Sequence, residues 1–77
     1  MPGDFYSDVD RLAQALVEGG QAGLGHEIRL AVEAGSTGSE ILMRLRHVFQ
    51  VALRERPLPD DERSRMTALL EDIDRAL

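Results

Sequence analysis

The chain has 77 residues, 43% of them hydrophobic, no cysteine and a net charge of −5. This excludes a disulfide scaffold, a thiolate metal site and the low-hydrophobicity, high-charge composition of a disordered chain. It leaves one small globular domain near the lower end of what folds alone, since a chain of about 60 residues buries only about 60% of its extended-chain surface.

No apolar run approaches the ~20 residues of a membrane span. The opening stretch MPGDFYSDVD is acidic where a secretory signal is basic and then apolar. A cytoplasmic protein is therefore expected. Every positive side chain is arginine, with no lysine and no asparagine, the bias of a GC-rich bacterial coding sequence.

Residues 5–18 place Phe5, Val9, Leu12, Ala13, Leu16 and Val17 on one face of a 3.6-residue helix. Asp4 or Ser7 can cap its start, and Asp8 and Asp10 complement the positive helix end. Gly19-Gly20 ends it by supplying a left-handed residue. A second helix over 21–34 carries Leu24, Ile28, Ala31 and Val32. Within it Gly23 and Gly25 each cost about 1 kcal/mol against alanine, unless they admit a neighbouring helix closely.

The third helix, 38–56, is the most strongly written. Ile41, Leu42, Leu45, Val48, Phe49, Ala52 and Leu53 cover an arc of roughly 140° at about 100° per residue. Thr37 and Glu40 form a capping box, with Glu40 expected to reach back to the Thr37 N–H. Gly35 suits a left-handed end to the preceding helix, and Pro57 stops the third helix by disfavouring helical geometry at Arg56. After the connector Pro57-Leu58-Pro59, an acidic first turn opens a fourth helix over 60–76, whose stripe is Met66, Leu69, Leu70, Ile73 and Leu77. Four amphipathic helices with short connections predict an all-α fold, two antiparallel hairpins packed as a small bundle.

Candidate chemistry is sparse. His26 and His47 are 21 positions apart on different helices, unlike the four-residue spacing of a helical zinc motif, so they read as surface histidines. The turn Gly35-Ser36-Thr37-Gly38-Ser39 precedes a helix N-terminus but lacks a phosphate-binding lysine, and Glu40 occupies the place of an anion. No catalytic, metal or cofactor-binding residue is assigned, and no small-molecule substrate is evident. Segment 38–56 carries +2, from Arg44, Arg46, Arg54 and Arg56 against Glu40 and Glu55, between segments of −4 and −3. The third helix is thus expected to lie against acidic neighbours.

Away from the core stripe, Met43, His47 and Val51 follow one another at steps of four, with Arg46, Gln50 and Arg54 beside them. A helix face mixing methionine and arginine suits protein contact. The alternative is that Met43 and Val51 are covered inside the bundle.

Segment 35–46, GSTGSEILMRLR, with Glu27-Ile28-Arg29 before it and the Leu-Pro turn and Glu71–Asp74 helix after it, resembles a group of small bacterial all-helical proteins with no established activity. The resemblance covers most of the chain and implies the fold, but its motif is a cap and a core stripe, so it carries no catalytic residue across.

The function expected is that of a non-enzymatic protein–protein interaction module, a homodimer associating through the third helix. Two alternatives are a nucleic-acid-associated regulator using the third-helix arginines, disfavoured by a pI near 4.8, and a small immunity- or antitoxin-like partner protein.

Overall fold

Residues 5–77, which the computed structural model describes, form four helices: α1 (Phe5–Glu18), α2 (Ala22–Ala34), α3 (Gly38–Glu55) and α4 (Asp60–Ala76). Short connections reverse the chain each time. The helices touch in a closed ring, α1 with α2, α2 with α3, α3 with α4, and α4 with α1, while diagonal pairs stay apart. The all-α bundle of two antiparallel hairpins is therefore the fold.

The core is assembled from the predicted stripes. Val9, Leu12, Leu16, Leu24, Ile28, Leu45, Phe49, Met66 and Ile73 are wholly enclosed, and no polar or charged residue is buried among the described residues. Each such aliphatic or aromatic side chain contributes roughly 1.5–3 kcal/mol by leaving water. Ile41, Val48, Leu53 and Leu70 are half-buried at its edges. Two residues depart from expectation. Leu77, placed in the fourth stripe, is 49% exposed because α4 ends one residue before it, whereas Leu58 of the proline connector is buried.

The helix ends show how local sequence sets the path. Gly20 has φ +90°, and Gln21 N–H donates to the Leu16 carbonyl at 2.7 Å while Gly20 N–H donates to the Val17 carbonyl at 3.3 Å. This pair of bonds closes α1 as predicted. Ser7 lies within the first helical turn and does not cap it, and Asp4 falls outside the described residues. Pro59 occupies the N-cap position of α4, ahead of the acidic turn Asp60, Asp61 and Glu62.

Gly35 does not adopt the left-handed conformation expected of it; its φ of −73° and ψ of 136° are extended. Its glycine identity has a steric cause, since a Cβ there would stand 2.4 Å from Ile41 Cγ1 and 2.9 Å from the Ile41 amide nitrogen. Thr37 accepts from the Glu40 N–H at 3.2 Å, the first half of the capping box. The Glu40 carboxylate returns one residue earlier than expected, to the Ser36 N–H at 3.0 Å. Arg56, at φ −110°, has left the helix ahead of Pro57, so α3 ends at Glu55.

Candidate functional site: the face of α2 and α3

The groove between α2 and α3 is built from residues that miss the core. On α3, Leu42, Leu45, Phe49 and Ala52 point inward, so the helix period carries Met43 and His47 to the outside. On α2, Leu24, Ile28 and Ala31 point inward, and Leu30, about 200° from Ile28 at ~100° per residue, is turned out. Leu30 and Met43 are 46% and 60% exposed and line the same open groove of about 710 Å³, together with Ala31, Ala34 and Val48 and the polar Glu27, Glu40, Arg44 and His47. The depressions on the α1–α2 and α1–α4 seams are smaller, about 230 and 310 Å³.

The predicted contact residues divide around α3. Met43 and His47 are exposed on the groove, Gln50 and Arg54 are exposed, and Val51 is half-buried beside Leu24 and Glu27 of α2. Arg46 belongs to the opposite flank, where its Nε lies 3.2 Å from Asp74 Oδ1 of α4. Leu30 and Ala34 were not among the predicted contact residues. The one signal for Leu30 in the sequence is a large apolar side chain off its own helix stripe, and its meaning depends on the neighbouring helix.

Two arginines of the third-helix segment meet acidic neighbours on other helices, Arg46 with Asp74 of α4 at 3.2 Å and Arg56 Nη2 with Glu27 Oε2 of α2 at 3.6 Å, whereas Arg44 and Arg54 pair within α3 itself, 3.9 Å from Glu40 and 3.3 Å from Glu55. Across the other seam, Arg29 of α2 reaches Asp10 at 3.2 Å and Gln14 at 3.0 Å on α1. These pairs are partly exposed, so each is worth at most about 1 kcal/mol.

His26 and His47 both stand in solvent, and among the described residues no three histidine, aspartate or glutamate side chains converge as metal ligands. No described helix is long and apolar enough to cross a membrane. Compared with known protein families, with characterised proteins and with solved structures, the chain matches none.

Proposed function

We propose that this protein is a non-enzymatic interaction module whose contact surface is the α2–α3 face. One observation carries the reading: Leu30 and Met43, two large apolar side chains left half exposed, come from different helices and share one groove. Single apolar residues on a surface are ordinary, whereas apolar residues gathered in a depression with a polar rim mark a place where another molecule is received.

The charge pattern supports a protein partner over a nucleic acid. Each of Arg44, Arg46, Arg54 and Arg56 has a carboxylate within 4 Å, so the positive charge that would bind phosphates is already engaged.

The test is a photo-crosslinking amino acid placed at Met43 or, as a control, at Ser64 on the exposed side of α4, in cells of the protein's source. A defined crosslinked protein from position 43 and none from position 64 is the expected result. Equal products from both positions, or none from position 43, would refute the assignment of this face.

A further inference from the structure

The four seams of the ring are not held alike. Three of them join helices that are consecutive in the chain, so the connections 19–21, 35–37 and 56–59 tether each pair whatever its side chains do. The fourth joins α1 to α4, the first helix to the last, and has no connection of its own. A short tether keeps two helices at high effective concentration after their side chains part, and this seam lacks that help.

The polar bonds divide in the same way. Arg29 of α2 reaches Asp10 and Gln14 of α1, and Arg56 at the end of α3 reaches Glu27 of α2. Arg46 and Arg63 join α3 to α4, the first through Asp74 and the second by donating from Nη1 to the Leu53 carbonyl at 3.3 Å. Among the described residues, no side-chain hydrogen bond or ion pair crosses from α1 to α4. Four charged side chains line that seam, and each pairs along its own helix: Arg11 lies 3.5 Å from Asp8, Arg65 lies 3.3 Å from Asp61, and Asp72 pairs with Arg75.

Packing and charge point the same way. α1 and α4 are the least closely packed neighbours in the ring, and a depression of about 310 Å³ lies between them with Leu69 in its wall. Both helices are acidic, with three carboxylates against one arginine on α1 and six against three on α4, so their net charges oppose the contact. By contrast α3, with three arginines against two carboxylates, sits between two acidic neighbours.

From these observations we infer that the bundle opens at one place: α1 and α4 part along their common seam while α2 and α3 stay packed as the spine. Local openings of this kind draw on the least stable contacts of a fold and need less free energy than global unfolding. The motion uncovers Leu69 of α4, and Leu12 of α1 one turn after Asp8, before the rest of the core. The α2–α3 seam lies across the ring and takes no part in it.

The chain has no cysteine, so a single introduced thiol reports the opening of one place. Leu69→Cys probes the α1–α4 seam, and Ala52→Cys, which lies with Leu24 between α2 and α3, is the control; the two native residues are 6% and 1% exposed. A maleimide reaches a buried thiol only from an open state. Urea unfolding of each variant gives its globally unfolded fraction, so a destabilised variant is judged against its own stability. The expected result is that the thiol at position 69 is protected at least about tenfold relative to a free thiol, yet reacts at least about tenfold faster than global unfolding allows and with weak urea dependence. The thiol at position 52 reacts only as fast as global unfolding allows. Leu12→Cys repeats the measurement from α1 and keeps the test decisive if Leu69→Cys does not fold.

Labelling at the α1–α4 seam no faster than global unfolding allows overturns the inference. Equal labelling at position 52 overturns it too, since the looseness would then belong to the whole bundle. Reaction of position 69 at the rate of a free thiol overturns it by showing a standing exposure in place of an opening.

Discussion

A Cβ built on Gly25 of α2 would stand 2.7 Å from the carbonyl oxygen of Ala13 and 2.7 Å from Val17 Cγ2, both on α1. The two helices therefore meet with almost nothing between their backbones at this level. Gly23, one turn-edge away, has no neighbour within 4 Å of an added Cβ. The two glycines of one helix thus predict opposite responses. Gly25→Ala is expected to destabilise by about 1–3 kcal/mol, because a backbone oxygen must move. Gly23→Ala is expected to stabilise by up to about 1 kcal/mol through the lower entropy of the unfolded chain. Urea unfolding of the two variants measures both, and a destabilising Gly23→Ala would show that position to be packed.

Just past the C-terminal end of α1, Gly20 sits at φ +90°. Gly20→Ala places a Cβ in the left-handed region and is expected to cost about 1–2 kcal/mol. Thermal unfolding followed by circular dichroism would detect it, and an unchanged midpoint would mean that the turn relaxes into another geometry.

The start of α3 depends on the Thr37 side chain, which holds the Glu40 amide at 3.2 Å. Thr37→Ala is expected to lower stability by about 1 kcal/mol. Amide hydrogen exchange offers a local readout, with faster exchange at Glu40 and unaltered protection in the middle of α3.

Leu45 and Met43 are two positions apart on the same helix, one wholly buried and the other 60% exposed. Leu45→Ala is expected to cost about 2–5 kcal/mol through lost transfer energy and the cavity left behind. Met43→Ala is expected to stay within about 0.5 kcal/mol. Chemical denaturation at low protein concentration compares them directly, and equal effects would contradict the orientation of α3.

The ion pair between Arg46 and Asp74 spans α3 and α4 with both side chains about half exposed. Arg46→Gln is expected to cost less than about 1 kcal/mol, and that difference is expected to shrink in high salt. A larger loss, independent of salt, would point to packing by the arginine stem.

Much of this molecule is determined by its sequence alone, because short-range physics decides it. The periods of Leu12 and Leu16, of Leu45 and Phe49, and of Met66 and Ile73 identify the inward faces of three helices whatever they pack against. Thr37 and Pro57 bound α3, and Gly20 closes α1, through bonds and torsions within a few residues. Other features depend on groups distant in the chain, and only the tertiary structure decided them. Gly35 proved to be glycine because Ile41 folds back onto it, and Gly25 because α1 crosses it. Leu58, in a connector between prolines, is buried because the chain reversal brings it against the shared apolar core. The strip of α3 predicted to be a single contact face was divided by its neighbours, with Arg46 drawn to Asp74 and Met43 left beside Leu30. A helix period tells which side chains point away from the core, but which of those share a groove depends on the next helix.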